Sequence, residues 1–478
     1  MLFTSLDFII LILLVIPLYY ALAQRLRWML LLLTSFIFYM NWSFQFLPFL
    51  VSCILINYGG SLFIDRSQSP QLRKVVLIFT LLASLSFLFF FKYYLQFATF
   101  LGNFFVFETS SIVPAGILFP IGISFYTFQS IGYTLDVYWK RRQAETHLGY
   151  FALFVSYFPQ LLCGPLEQAS YLIPQFKKEV KTDYEDALNG LVQLVFGFFK
   201  KLVIADNLIK TYQVVYGSPD ITIHSGQTLL LSALFISFVI YFDFSGYCDI
   251  AIGLSRILGI KLSTNFRVPY LSKSLKELWE RWHITISMWL RNYLMYYLYQ
   301  KPFFKNHRLL LVLVSFMVLG IWHGFGFNYF LFGFLHGLVW IFEHICGLYF
   351  GKYQNKSWWK FLIPLQRLWV LAVFTLLGCL LVQSTERTFH IWSKVLDPSQ
   401  YTTFNFLGTL QQLGLNLNLN FYLIVVGLMM MALIVETIVV TRKINWPRSV
   451  RWIAVYICLM GISLLGSFNQ QDFLYYQF

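Results

Sequence analysis

The sequence predicts an all-α polytopic membrane protein, and three observations carry that prediction. Of its 478 residues, 58% are hydrophobic and only 12% charged, about half the charged share of a soluble domain. Apolar runs recur from one end to the other, each near the roughly 20 residues that cross a bilayer as a helix. The alternating strands of about 10 residues that mark an outer-membrane barrel are not visible.

The runs fall, in order, at 8–23, 29–40, 47–64, 75–91, 113–137, 150–163, 191–205, 228–244, 309–320 with 325–350, 361–382, 421–440 and 452–466. They predict about 11 to 14 membrane segments, some only half-crossing. Asp7 precedes the first run and Arg25 and Arg27 follow it. A secretory signal carries its positive charge first, so this is a membrane helix that starts outside and ends in the cytoplasm. The charged stretch Lys177–Ala187 belongs on the cytoplasmic side. So do the clusters Lys352, Lys356 and Lys360, and Arg442, Lys443, Arg448 and Arg451. The polar loop Gln383–Asn420 carries only Arg387 and Lys394 as basic residues and belongs outside, as does the tail after Gly466. Both termini outside imply an even number of full crossings. No repeat and no Gly/Ser linker divides the chain. It reads as one integral membrane domain over 1–470, followed by an extracytoplasmic aromatic tail at 471–478.

The formal net charge of +14 sits in short basic clusters between apolar runs, which is a topological signal and not a nucleic-acid footprint. A basic inner face also attracts an anionic donor such as a coenzyme A thioester. Topology and lipid contact alone account for most of these residues equally well. The six cysteines, Cys53, Cys163, Cys248, Cys346, Cys379 and Cys458, stand singly in apolar surroundings. With no Cys-x-x-Cys pair or metal-ligand spacing, they read as small hydrophobes, and no bound metal or cofactor is expected.

The stretch Lys261–Lys305 is aromatic and apolar, yet holds Lys273, Lys276, Glu277, Glu280, Arg281, His283 and Arg291. On one continuous helix Trp279, Glu280, His283 and Ser287 would share a face. A helix so charged lies at an interface or lines a polar cavity.

Chemistry concentrates on two histidines. Trp322-His323-Gly324 is lodged in a long apolar run, where an ionisable side chain is a functional-site hypothesis by default. His283 lies forty positions earlier, one helix out and another back. A neutral imidazole can take the proton of a hydroxyl as it attacks a thioester carbonyl, then protonate the departing thiolate, and burial favours the neutral form. For His283, with Glu280 one turn before and Arg281 beside it, a salt-bridged structural role stands equally open. His336 and His344 read as structural. Asp243 and Asp249 follow an apolar run. A carboxylate there must be paired, protonated or near water, either orienting a histidine or capping a helix near Ile250. No Gly-x-Ser-x-Gly elbow, Walker A sequence or His-Glu-x-x-His helix is present.

These segments, taken in order, resemble the membrane-bound O-acyltransferases, in the bacterial branch that acylates cell-surface polymers. The matching pieces are Phe119-Pro-Ile-Gly-Ile-Ser-Phe-Tyr-Thr-Phe-Gln129, Tyr157-Phe-Pro-Gln-Leu-Leu-Cys-Gly-Pro165, the Asp243–Asp249 block, and Asn265-Phe-Arg-Val-Pro-Tyr270. Leu278-Trp-Glu-Arg-Trp-His-Ile-Thr-Ile-Ser-Met-Trp-Leu-Arg291 and Trp322-His323-Gly324 complete the series. The core motifs cover about 115–350. The resemblance implies a ring-like helical bundle around a central funnel in a bacterial cytoplasmic membrane. It implies His323 as the catalytic histidine and His283 as the second recurrent one, with Trp322, Asp243, Asp249, Glu280 and Arg291 in tunnel or supporting roles. The tail Phe473-Leu-Tyr-Tyr-Gln-Phe478 is similar to an aromatic motif of polymer acyltransferase systems. There Tyr475 would carry the acyl group to an extracytoplasmic SGNH-type partner. An aromatic interfacial belt is the plainer reading of the same residues. The expected activity is transfer of acetyl from acetyl-CoA toward an alginate- or peptidoglycan-like polysaccharide. D-alanylation of teichoic acid from a carrier protein is the rival. A transporter without chemistry is the alternative from another class.

Overall fold

A computed structural model describes residues 2–42, 44–94, 96–97, 120–179, 183–351, 356–402, 406–415, 418–442, 444, 446–468 and 474. Helices account for the ordered elements, with no β-strand among the described residues. Eight helices are long and apolar enough to cross a membrane: Phe44–Arg66, Pro70–Tyr93, Tyr184–Tyr216, Gly226–Ile257, Phe327–Phe350, Trp358–Val382, Leu419–Arg442 and Arg448–Leu465. Leu6–Ala21 and Arg308–His323 are shorter apolar helices. Ten of the expected 11 to 14 segments are thus apolar helices among the described residues, and the run 29–40 lies in the helix Gln24–Trp42. Residues 150–163 give only the nine-residue helix Leu148–Ser156, ended by turns. Ile123–Tyr138 is buried almost throughout, packed among protein rather than lipid.

The chain divides into two compact units. The first holds residues 1–195 and 247–264. Its helices start where the sequence supplies caps: Ser5 accepts from the Phe8 N–H, and Ser69 accepts from Leu72 N–H just before Pro70. Its interior is stitched by small polar side chains. Asn57 donates to Ser84 Oγ at 2.9 Å and accepts from Thr134 Oγ1 at 2.9 Å, and Ser61 donates to Thr134 at 3.1 Å. Between membrane helices, lipid offers no hydrophobic contrast, so such hydrogen bonds and close packing hold the contact. Outward, Leu13, Phe79 and Leu82 are exposed, as lipid-facing positions must be.

The second unit holds residues 196–246 and 265–478. It contains the helical hairpin Arg308–His323 and Phe327–Phe350. A Cβ on Gly320 would meet the Tyr329 carbonyl and the Gly333 backbone, and one on Gly333 would meet the Phe316 carbonyl. The two glycines therefore let the backbones approach closely, and this seats His323 at the hairpin's turn. None of the six cysteines is in a disulfide among the described residues. Four are buried, and Cys346 and Cys458 are half-buried.

Candidate active site

Both histidines singled out by the sequence lie in the second unit, and they line one cavity. Its wall also includes Ile236, Ile240, Phe244, Trp279, Trp282, Trp322 and Phe332, and its volume is about 40 Å³. Ile236, Ile240 and Phe244 recur every fourth residue of the Gly226–Ile257 helix, so one helical face supplies a whole side of the chamber.

His323 is the last residue of its helix. Gly324, extended, breaks the run before Phe327 starts the next helix. The His323 ring sits 4.7 Å from Trp322 and edge-on to Phe332 at 5.8 Å, centroid to centroid, and it is half-buried.

His283 is held differently. The sequence suggests one helix carrying Trp279, Glu280, His283 and Ser287, but the helix stops at Arg281 and restarts at Ile284. His283 between them has φ 43°, the left-handed region, which costs a non-glycine residue of order 1–3 kcal/mol. The Asn265–Arg267 segment fixes that turn. Arg267 N–H donates to the Arg281 carbonyl and Ile284 N–H to the Asn265 carbonyl, both at 2.9 Å. The Asn265 side chain adds more: its Oδ1 accepts from Thr285 N–H at 3.1 Å and Thr285 Oγ1 at 3.0 Å, and lies 3.1 Å from His283 Nδ1. Since a backbone N–H can only donate, that Asn265 atom is the oxygen. The His283 proton therefore sits on Nδ1 and the lone pair on Nε2. Burial pushes His283 down from the usual 6.5 to about 3, so the ring is neutral at any ordinary pH. Phe244 meets it edge-on at 4.8 Å, and Trp322 lies 6.1 Å away. Trp322 thus touches both histidines.

The helix break also sorts the other predicted residues. Glu280, Ser287 and Arg291 do not share a face with His283. They line a second, wider cavity of about 330 Å³ with Lys276, Leu290, Met295 and Trp340. Trp279 and Leu319 line both cavities and form the wall between them. Arg281 pairs with Glu277 at 2.6 Å, so the salt bridge considered for His283 goes elsewhere. His336 is fully buried, with Nδ1 2.8 Å from the Phe332 carbonyl one turn back. His344 stacks on Trp340.

Asp243 and Asp249 do not cap a helix near Ile250. Both sit inside the continuous Gly226–Ile257 helix, so Asp249 caps nothing near Ile250. It accepts from Gln193 Nε2 at 2.8 Å. Asp243 is buried, and its recorded partners are Lys201 and a main-chain N–H, not a histidine. Lys201 also reaches Asp206 at 2.8 Å, and its neighbour Lys200 pairs with Glu436. The π-helical turn Lys200–Ala205 carries both lysines into this network. These lysines and Asn265 are what the sequence reading did not single out as site residues. A Lys-Lys pair within an apolar run was the available signal. Tyr475 lies outside the described residues.

Residues 144–385 match the family model described as MBOAT, membrane-bound O-acyltransferase family. The chain is 36% identical over 338 residues to a peptidoglycan O-acetyltransferase of Helicobacter pylori, covering 65% of this chain and 63% of that protein. It is 36% identical over 363 residues to a probable alginate O-acetylase of Pseudomonas putida, covering 73% and 72%. To a teichoic acid D-alanyltransferase of Bacillus subtilis it is 29% identical over 255 residues, covering 52% and 63%.

Proposed function

The chain belongs to the membrane-bound O-acyltransferase family, and we propose that it transfers acetyl from acetyl-CoA toward a hydroxyl of an extracytoplasmic polysaccharide. The observation that carries this is the paired-histidine chamber sharing the Trp279–Leu319 wall with a wider cavity that bears Lys276 and Arg291. An anionic thioester donor suits the basic, roomier cavity. Its acyl end suits the narrow aromatic chamber.

In the reaction, an acceptor hydroxyl oxygen attacks the thioester carbonyl carbon while an imidazole takes its proton. A C–O bond forms, the C–S bond breaks, and the same proton returns to the departing thiolate, giving ester and free thiol. We assign His323 as that base. His283, held near 3, is too weak a base for the step. Its Nε2 lone pair instead serves as a fixed hydrogen-bond acceptor. Trp322, in ring contact with both, keeps the two imidazoles apart and oriented.

The acetyl reading takes support from the O-acetylating relatives, which align over more of the chain and at higher identity than the D-alanyl one. In this reading the protein sits in the bacterial cytoplasmic membrane with both termini outside, and Tyr475 passes the acetyl group to an SGNH-type partner.

Purified protein incubated with isotope-labelled acetyl-CoA, wild type beside His323→Ala, tests the proposal by mass spectrometry. Label on the chain, or on polysaccharide once a partner is added, that disappears in the variant supports it. Full labelling by a folded His323→Ala protein would overturn the histidine assignment. Acylation only from a D-alanyl carrier protein would overturn the donor.

A further inference from the structure

Asp243 stands where a membrane helix should not carry a bare carboxylate, and its two oxygens have two different partners. Oδ1 takes the Lys201 ammonium at 2.5 Å; Oδ2 accepts the main-chain N–H of Leu474 at 2.9 Å. All three residues are buried: Lys201 is 1% exposed, Asp243 2% and Leu474 5%. Leu474 lies beyond the helix Arg448–Leu465, so its buried N–H needs a partner to tie it down.

Asp243 is well suited to tie it. A buried carboxylate is costly unless paired and fully hydrogen-bonded. Lys201, itself fixed by Asp206 at 2.8 Å, neutralises it but engages one oxygen. The other oxygen would be left without a donor, and a main-chain amide supplies a charge-assisted hydrogen bond, roughly twice as strong as a neutral one. A main-chain donor also makes the site indifferent to side-chain identity at that position. Farther back the same element is gripped through its backbone too. Ser467 N–H donates to the Leu202 carbonyl at 3.0 Å, and Asn207 Nδ2 to the Leu465 carbonyl at 2.8 Å. Residues 200–207 therefore meet the chain where the helix Arg448–Leu465 ends.

We propose that the Asp243–Lys201 pair is a binding site for the chain's own C-terminal segment, engaged through the Leu474 amide. Its position gives the site a purpose. Phe244, the next residue, is a wall of the histidine chamber and touches His283. The Leu474 main chain and that chamber wall are therefore held by neighbouring residues of one helix. Asp243 is thus a positioning residue for the tail, and Lys201 fixes the carboxylate that does the holding. The clasp stands whether or not the protein moves acetyl groups, because its evidence is hydrogen bonding and burial alone.

The test must remove the amide without removing the buried ions, since Asp243→Leu would strand Lys201 and risk misfolding. Leu474→Pro does this, because proline has no N–H, and Leu474→Ala keeps the donor while losing the side chain. Hydrogen–deuterium exchange of full-length protein in detergent micelles reads the C-terminal peptide. Wild type should exchange at least tenfold more slowly there than an unstructured peptide of the same sequence. Leu474→Ala should keep most of that protection, and Leu474→Pro should lose it, with protection of the membrane helices unchanged in all three. Tail exchange in wild type at the unstructured rate would overturn the proposal. So would a Leu474→Pro tail as protected as that of Leu474→Ala.

Discussion

Asn265 Oδ1 lies 3.1 Å from His283 Nδ1 and at the same time accepts from the Thr285 amide and hydroxyl. One side-chain atom thereby fixes a tautomer, a ring orientation and a left-handed turn.

Asn265→Leu should be severely destabilising. It leaves three buried donors without an acceptor, each costing about 1–3 kcal/mol, so the loss should be roughly 3 kcal/mol or more. Asn265→Asp keeps the acceptor and should be far milder. Thermal unfolding in detergent, followed by tryptophan fluorescence, separates the two; equal losses would mean that Asn265 acts by volume alone.

His283 should make stability depend on pH in one direction. Burial lowers its folded value to about 3, while the unfolded chain titrates near 6.5. Between those values the unfolded chain binds a proton that the folded chain refuses. The stabilising contribution is therefore fully present above about 6.5 and is lost as pH falls toward 3, on the order of 5 kcal/mol in all. Carboxylates titrate in the same range, so the measurement is a difference: His283→Gln should unfold with a shallower pH slope than wild type between pH 4 and 6.5. Identical slopes would show that the imidazole is not buried neutral.

How much of this was legible beforehand follows from what each signal depends on. The helical membrane class needs only composition and run length, and both are local. His323 stood out because an ionisable group in an apolar run is conspicuous by itself. The break at His283 was hidden, since helical periodicity continues through Trp282-His283-Ile284. What stops the helix is Asn265, eighteen positions away. The Lys201–Asp243 pair was hidden for the same reason. Charges in separate apolar runs announce that each needs a partner, but only packing says which.

The wider cavity should govern donor affinity and not the chemical step. Lys276 and Arg291 line it away from the histidine chamber, so they can attract a phosphate-bearing donor without touching the reacting bond. Replacing both with alanine should raise the donor's KM several-fold with kcat within about twofold, the signature of binding shared equally by ground and transition states. The effect should shrink with added salt. A fall in kcat with KM unchanged would place these cations in the chemistry instead.

Gly320→Val should cost activity through packing. Its side chain would drive into the Tyr329 carbonyl and the Gly333 backbone, wedging apart the hairpin whose turn holds His323. Overpacking of this kind costs typically 1–3 kcal/mol, and a shift of about 1 Å in a reacting group can cost 10²-fold in rate. The expected outcome is a protein that still folds and loses most acyl transfer. Gly347, with open space around its Cβ position on the same hairpin, is the control: Gly347→Ala should be neutral in both assays.

Lys201→Met should be among the most damaging single substitutions. The ammonium is the shared counter-ion of Asp206 and Asp243, at 2.8 and 2.5 Å, with all three side chains nearly inaccessible. Removing it places two carboxylates in a low-dielectric interior with no cation between them, a break that costs about 3–5 kcal/mol in buried pairs. Much of that penalty is the stranded charge and not the lost attraction, which gives the experiment its second arm. Adding Asp206→Asn and Asp243→Asn to Lys201→Met removes the charges and should recover a large part of the stability, because hydrogen-bonded neutral groups tolerate burial where ions do not. Unfolding midpoints across wild type, single and triple variants measure this directly. A triple variant no more stable than Lys201→Met would mean that the lysine's packed stem, and not its charge, holds this part of the second unit together.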